Sequence, residues 1–219
     1  MRKTVALMGV FVFLAGCNTL ATEPPAETGK IREQSNVATS SAEILGPLWK
    51  SGYTWQFRWE SPHGRGTYVW TVKGEERVDG IDYYVIATDR QIETYRRKAD
   101  LAFAMVKVDG EVDIRFTPPY LQYVWPLAPG KKWEQTVTRE APRDKRTDEI
   151  STTCQVEAEE TIAVPAGSFR AFKIVCHNKL TGSLMSEVWY SPEAKQLIRD
   201  RVRFSYGIQE RNLIDFKVK

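Results

Sequence analysis

From residue 53 onward the chain alternates apolar and polar side chains with a period of two. In the first run Tyr53, Trp55, Phe57 and Trp59 share one side, and the positions between them are polar. Such alternation is typical of a half-buried β-strand. Similar short runs recur to the end of the chain, with glycine and proline falling almost wholly between them. The pattern predicts an all-β domain, built as a single curved antiparallel meander sheet or a partly open β-barrel.

The individual runs set the expected strand bounds. Lys73-Gly74 is expected to end the second strand and Pro118-Pro119 the sixth, because proline removes a donor from the strand ladder. The charged segment 141–148 is expected to form a mobile loop. Strands are predicted over residues 53–59, 68–72, 81–88, 93–97, 101–108, 111–116, 133–138, 150–164, 168–178, 183–190, 197–206 and 208–218.

The amino-terminal residues have the arrangement of an export signal. Arg2 and Lys3 precede an apolar run over residues 5–14, which is too short for a membrane span of about 20 residues. The tetrad Leu14-Ala15-Gly16-Cys17 closes this run and resembles the lipobox of bacterial lipoproteins. The resemblance implies cleavage just before Cys17 and acylation of its thiol and new amino group, palmitate being one expected acyl chain. Several acyl chains together make a durable membrane anchor.

This signal predicts the organisation and location of the chain. We expect a lipoprotein signal peptide over residues 1–16, a lipidated cysteine with a flexible linker over 17–45, and an antiparallel β-domain over 46–219. The linker is rich in Thr, Ala, Glu, Pro and Ser and contains no aromatic residue, so it cannot build a packed core. We expect a lipid-anchored protein of the bacterial envelope whose domain faces the periplasm. Asn18, in place of an aspartate, favours the outer membrane over the inner in enterobacterial-type sorting.

Charge narrows the class of partner. The formal net charge of +3 includes Arg2 and Lys3 of the signal, so the processed chain is close to neutral. A dedicated nucleic-acid binder would carry a strongly basic footprint. We therefore expect no nucleic-acid partner.

Two cysteines remain after Cys17, and we predict that Cys154 and Cys176 form a disulfide in the oxidising envelope. Both thiols fall on the apolar side of adjacent antiparallel strands joined around residues 165–167. A four-residue loop that pairs Val164 with Phe169 would place Cys154 opposite Lys179. A bulge or a diagonal pairing must then absorb an offset of three residues; two buried free thiols are the alternative.

Three stretches carry a second resemblance. Residues 125–133 (WPLAPGKKW), 164–169 (VPAGSF) and 188–193 (VWYSPE) together resemble a broad group of uncharacterised bacterial envelope β-proteins, catalogued as domains of unknown function. The resemblance spans roughly residues 50 to 215. It implies a curved antiparallel sheet and supplies no activity.

Catalytic and metal chemistry find little support in the sequence. His63 and His177 are the only histidines and have no partners at metal-ligand spacing. No serine lies in a Gly-x-Ser-x-Gly elbow. The adjacent acidic pairs 75–76, 148–149 and 159–160 face opposite sides of their strands, which is typical of surface charge. We expect no catalytic residue, no metal and no cofactor.

The basic positions and the aromatic positions each allow two interpretations. Arg199, Arg201 and Arg203 alternate on one strand face, and residues 96–98 form the basic run Arg-Arg-Lys. These side chains form either a solvated face or a contact with anionic lipid headgroups, lipopolysaccharide or peptidoglycan. The aromatic strand faces form either a solid core or the lining of an apolar pocket.

Three hypotheses for function follow. The first is a non-enzymatic envelope lipoprotein that binds or scaffolds, with the membrane as partner through Cys17 and a lipid or an envelope protein as a further partner. The second is a carrier or chaperone for a lipid or acylated ligand, which requires a continuous internal cavity of several hundred Å³. The third is an unrecognised hydrolase, which requires a histidine within hydrogen-bond reach of a nucleophile and an acid.

Overall fold

The structure is a computed structural model that describes residues 46–88 and 91–218. The signal peptide, Cys17 and the linker lie outside the described residues, so the processing, the anchor and the linker stay predictions. Within the described ranges, no helix has the length and apolar character needed to cross a membrane.

The described residues form one closed antiparallel barrel, which confirms the all-β prediction in its barrel form. Each strand pairs with the next along the chain, and the last of the twelve strands pairs with the first to close the ring. A single 3₁₀ turn (Pro142–Asp144) separates the seventh strand from the eighth. The strands are β1 (Thr54–Ser61), β2 (Gly64–Val78), β3 (Ile81–Ala87), β4 (Ile92–Arg97), β5 (Phe103–Val108), β6 (Glu111–Tyr120), β7 (Lys132–Ala141), β8 (Arg146–Val164), β9 (Gly167–Asn178), β10 (Leu184–Ser191), β11 (Gln196–Phe204) and β12 (Gly207–Lys217).

Strict alternation of strand direction gives the barrel two different ends. The turns after even-numbered strands meet at one end, which we call the packed end. Its loops are joined by indole N–H groups: Trp49 donates to the carbonyl of Lys195 (2.8 Å) and Trp55 to that of Ala194 (2.7 Å). Backbone carbonyls buried under the packed end therefore accept hydrogen bonds from tryptophan side chains. The turns after odd-numbered strands meet at the other end, which we call the open end.

Inward-facing aromatic rings fill the packed end and the β1–β3 side of the barrel. Trp55 and Phe57 are fully buried, and the ring centroid of Phe57 lies 4.9 Å from that of Trp70 on β2. Tyr84 on β3 packs against Trp49 at 5.5 Å. Such pairs contribute about 0.5–1.5 kcal/mol each beyond the area they bury. The aromatic strand faces predicted from the sequence therefore form a core in this part of the molecule.

A second, smaller apolar cluster lies on the outer wall. Tyr83, Val85 and Tyr95 point away from the main core and pack with Ala104 and Met105. Strands β3, β4 and β5 are consequently buried on both faces. Because both faces of these strands are buried, a contrast between an apolar face and a polar face does not show which side chains point into the barrel.

The structure contains the Cys154–Cys176 disulfide, with an S–S distance of 2.08 Å. The β8–β9 turn is tighter than predicted, because Val164 pairs with Gly167 and not with Phe169. A bulge between Val156 and Ala158 absorbs the single-residue offset that remains, and the two cysteines lie directly opposite each other. The predicted bulge is therefore present, but it compensates one residue and not three.

Two predicted interruptions are continuous strand, and a third is shorter than predicted. Gly74 lies within β2, at a bulge between Val72 and Gly74. Pro118 and Pro119 lie within β6, where the β5 pairing jumps from Met105–Arg115 to Phe103–Tyr120. A bulge leaves residues unpaired, so a missing proline N–H does not break a ladder bond there. The segment 141–148 holds only the short 3₁₀ turn before β8 begins. Asp148 pairs with Arg139 across the β7–β8 ladder, and Arg143 forms ion pairs with Glu111 and Asp113 of β6.

Candidate functional site

A cavity of about 370 Å³ lies inside the barrel between the packed aromatic core and the open end. Its walls come mainly from β4–β6 on one side and β7–β12 on the other. At its mouth Phe204 is 41% exposed, so the cavity communicates with solvent. Its volume is at the lower end of the range for small-molecule pockets. Apolar lining residues include Phe103, Phe116, Tyr120, Ile150, Ile174, Met185, Val188, Val202 and Phe204.

One charged side chain in this cavity has no opposite charge beside it. Arg96 on β4 points inward and is only 8% exposed. Its guanidinium lies 4.6 Å from the ring centroid of Phe103, and Nη1 donates a long hydrogen bond (3.4 Å) to the carbonyl of Leu101. Among the described residues, no carboxylate forms an ion pair with it. Burial lowers the pKa of Arg96 to about 10, so the group stays protonated at neutral pH.

A second inward arginine is fully compensated. Arg211 on β12 forms a two-pronged ion pair with Asp200 on β11, in which Nε donates to Oδ1 at 2.7 Å. Nη1 also donates to the hydroxyl of Tyr68 (3.1 Å), and the guanidinium lies 5.3 Å from the ring of Trp70. Burial opposes the charged form, but the Asp200 carboxylate and the Tyr68 hydroxyl raise the pKa of Arg211. This arginine is therefore held in place and is not free for a ligand.

A third arginine in the wall is partly compensated. Arg139 on β7 donates from Nη2 to Asp148 on β8 at 2.5 Å, and hydrogen bonds from Arg139 and Arg146 hold the pKa of Asp148 below its usual range. The Nε atom of Arg139 is buried and has no hydrogen-bond partner in the described part of the chain. The guanidiniums of Arg96, Arg139 and Arg211 thus face two carboxylates. Of these three, Arg96 alone has no carboxylate partner among the described residues.

The arginines predicted from the sequence as a basic face lie elsewhere, on the outer side of β11. Arg199 donates to Asn212 (2.7 Å) and to the carbonyl of Ala163 (2.8 Å). Arg201 pairs with Glu210 at 2.7 Å. Arg203 is exposed near the cavity mouth and has no ion-pair partner among the described residues. Two of the three are therefore engaged within the molecule, and contact with an anionic surface stays a prediction.

The two histidines lie apart from this cavity. The ring of His63, in the β1–β2 turn, packs against Tyr206 with centroids 4.6 Å apart. His177 is exposed near the end of β9. Across residues 46–88 and 91–218, no cluster of three or more His, Cys, Asp or Glu side chains is arranged to hold a metal ion.

No family model matches the chain, and no curated protein matches it. Several solved structures are similar to the chain, among them the following three. A protein from Bacteroides fragilis, described as exported and with a YmcC-like fold, is 14% identical over 77% of this chain and 97% of its own, with a TM-score of 0.45. A protein from Parabacteroides distasonis, described as a lipoprotein, is 14% identical over 77% and 96%, with a TM-score of 0.40. The hypothetical lipoprotein YmcC from Escherichia coli is 12% identical over 76% and 86%, with a TM-score of 0.38.

These descriptions agree with the resemblance to envelope lipoproteins that the sequence carries. With every TM-score below 0.5, the likeness carries no argument about activity, ligand or anchoring. The strand pairing of this chain by itself defines the barrel.

Proposed function

We propose that this chain is an envelope lipoprotein, held to a membrane by lipid on Cys17, whose barrel is a non-enzymatic binding module for a small amphipathic anion. Of the hypotheses drawn from the sequence, the carrier of a lipid or acylated ligand is the one that the cavity favours. The observation that carries the proposal is the buried guanidinium of Arg96 in the cavity wall, which has no carboxylate partner among the described residues.

The cost of burying this charge is the first support. An isolated charge taken out of water is strongly disfavoured unless it is paired. The other two inward arginines each have a carboxylate within the barrel. A carboxylate or phosphate that enters the cavity would supply Arg96 with the missing partner through charge-assisted hydrogen bonds.

The shape and lining of the cavity are the second support. The lining combines phenylalanine, isoleucine, valine and methionine side chains with charged groups that include Arg96, and this combination suits a ligand with one anionic end and one apolar end. A volume of about 370 Å³ suits a single acyl chain better than a two-chain lipid. The ligand class is therefore a single-chain amphiphile with an anionic headgroup.

Titration with dodecanoate tests the ligand. The protein is the processed chain, residues 17–219 with Cys17→Ser, which carries no acyl group and needs no detergent. We expect dodecanoate to bind in the micromolar range in isothermal titration calorimetry, with a negative heat-capacity change from apolar burial. Dodecyltrimethylammonium has the same chain and the opposite charge, and we expect it to bind at least about tenfold more weakly because it meets Arg96. Equal affinity for both amphiphiles, or none for either, would contradict the proposal.

Metabolic labelling with an alkyne analogue of palmitate tests the anchor. We expect the unaltered chain to incorporate the label and to fractionate with membranes. Cys17→Ser removes the acceptor thiol, so the label should disappear and the signal should stay uncleaved. Thr19→Ala is the matched control and should keep both label and processing. Label that persists in Cys17→Ser would show that Cys17 is not the anchor. In the unaltered chain, separation of inner and outer membranes would test whether Asn18 directs the protein to the outer one.

A further inference from the structure

The open end of the barrel carries an exposed apolar edge beside the cavity mouth. Phe204, Tyr206 and Ile208, which we call the rim, come from the β11–β12 turn and are 41%, 42% and 43% exposed. The rings of Phe204 and Tyr206 are stacked, 5.0 Å apart and nearly parallel at 5°. Large apolar side chains grouped at the end of a barrel, and not scattered singly, indicate a contact surface.

The rim is held in a defined shape. The ring of His63, from the neighbouring β1–β2 turn, packs against Tyr206. Gly207 has a φ of +127°, and a Cβ there would come within 2.7 Å of the Pro62 ring. The two turns are therefore closely packed against each other at this position. Two neighbouring hairpins thus present the aromatic rings together as a fixed edge.

The rim is continuous with the cavity. Phe204 lines the cavity on one side and stacks on Tyr206 on the other. On the outer wall, Ile208 shares a small depression with Leu184 and Arg203. A path of apolar side chains therefore runs from the outer edge of the barrel into the binding space.

The charges around the rim narrow the choice of partner. Arg203 and Arg65 are exposed beside it, and among the described residues neither forms an ion pair. Glu60 lies opposite Arg65 in the β1–β2 register and is also exposed. Tyrosine rings flanked by arginine are suited to the interface between acyl chains and anionic headgroups. A water-soluble protein partner would not explain why the rim leads into a cavity with room for one acyl chain.

From this continuity we infer that the rim lies in the headgroup region of the membrane that anchors the protein, and that the amphipathic ligand passes directly between the leaflet and the cavity across Phe204. This inference rests on the proposed ligand, whereas the contact between rim and bilayer stands separately. An acyl chain that moves along the rim is never fully exposed to water, which would otherwise oppose its transfer.

Site-specific fluorescence in the complete lipidated protein tests the contact. Ser205→Cys places a thiol within the rim turn without replacing a rim residue, and Ser168→Cys places one at the packed end. Both serines are exposed. Cys154 and Cys176 are joined to each other, so the introduced thiol can be labelled alone once Cys17 is acylated. The protein is reconstituted in phosphatidylethanolamine vesicles that contain one-quarter phosphatidylglycerol and spin-labelled lipid.

We expect the fluorophore at residue 205 to be blue-shifted and quenched by the spin-labelled lipid, and the one at residue 168 to be neither. Quenching at neither position, or to the same extent at both, would overturn the contact. Intermolecular disulfides through Ser205→Cys, formed without quenching, would identify the rim as a surface between copies of this chain and overturn it as well.

A transfer experiment separates this inference from the proposed ligand. The double variant Tyr206→Ser/Ile208→Ser keeps Phe204 and the cavity walls. We expect it to bind dodecanoate in solution within twofold of the unaltered chain, while transfer of a fluorescent fatty acid from vesicles slows at least about tenfold. Unchanged transfer with intact binding would overturn the proposed route across the rim and leave the proposed ligand standing. If the unaltered chain does not bind dodecanoate, both the proposed function and the route across the rim are overturned.

Discussion

Arg96→Met is expected to stabilise the empty barrel and to abolish most of its affinity for dodecanoate. Burial lowers the pKa of Arg96 from 12.5 to about 10, which corresponds to about 3 kcal/mol against the charged form. Methionine also has an unbranched side chain that can lie beside Phe103, but the variant loses the cation–π contact of Arg96, which contributes about 1 kcal/mol. The free energy of unfolding should therefore rise by about 2 kcal/mol, which raises Tm by roughly 4–8 °C.

The same substitution removes the partner of the ligand's headgroup. Hydrogen bonds to charged groups contribute about 1.5–3 kcal/mol, so Kd for dodecanoate should increase by roughly 10–100-fold. Thermal unfolding and calorimetry on the same preparation give both values. An arginine that serves only the fold would show the opposite combination, with lower Tm and unchanged Kd, and that result would remove Arg96 from the site.

Arg115→Met is the matched control. Arg115 lies on β6, next to the same region of the barrel, but its side chain is exposed. Removal of an exposed guanidinium should change stability by no more than about 0.5 kcal/mol and leave Kd unchanged. A similar gain in Tm from both variants would mean that reduced overall positive charge, and not relief at Arg96, explains the effect.

The inward-pointing positions of most strands could be predicted from the sequence because each strand has one apolar face. Trp55 and Phe57 on β1 are fully buried, as the alternation indicates. Closure of the ring could not be predicted in this way. It depends on pairing between residues 54–60 and 210–217, which are far apart along the chain, and alternation fixes the face of a strand but not its neighbour. The strand ends predicted at Gly74 and at Pro118-Pro119 were wrong, because a curved barrel contains bulges that tolerate glycine and proline.

The sequence analysis included Arg96 in a basic run, but the inward position of this residue was not predicted, for a related reason. In the sequence it belongs to a basic run with Arg97 and Lys98, and Tyr95 before it suggests the buried face of the strand. In the structure Tyr95 is buried in the outer cluster and Arg96 is buried in the barrel. When a strand is covered on both sides, alternation still separates neighbours but no longer identifies which face is polar. The face shared by residues 92, 94 and 96 is the signal that could have placed Arg96 apart from Arg97.

The Asp200–Arg211 pair, by contrast, was open to prediction from the sequence. Phe204 and Gly207 flank a two-residue turn, and Asp200 pairs with Arg211 in the register that this turn sets. Opposite charges at equal distance from a tight turn meet across the hairpin on one face. The arginines at positions 199, 201 and 203 form a more visible pattern, because three like charges on one face stand out more than one acid among them.

Asp200→Asn should be strongly destabilising, because it leaves the charge of Arg211 buried without compensation. Asp200 is 1% exposed and the Arg211 side chain 19%. Removal of one member of a buried pair costs about 3–5 kcal/mol, which lowers Tm by roughly 6–20 °C. Glu210→Gln is the control, since its pair with Arg201 lies on the outer wall, where the side chains are 32% and 42% exposed and the expected cost is about 0–1 kcal/mol.

The double variant Asp200→Asn/Arg211→Met separates charge from packing. With both ionic groups of this pair gone, neither position 200 nor position 211 carries an uncompensated charge, and most of the lost stability should return. Urea titration of Asp200→Asn, Arg211→Met, the double variant and the unaltered chain gives the three changes in the free energy of unfolding and the coupling between the two residues. If the double variant is as unstable as Asp200→Asn alone, the penalty lies in lost hydrogen bonds to Tyr68 and in packing against Trp70. If Asp200→Asn costs no more than Glu210→Gln, water reaches Arg211 freely and the pair is not a buried one. A cavity open to water to that extent would also leave Arg96 solvated, so this single comparison tests the physical premise on which the proposed anion site depends.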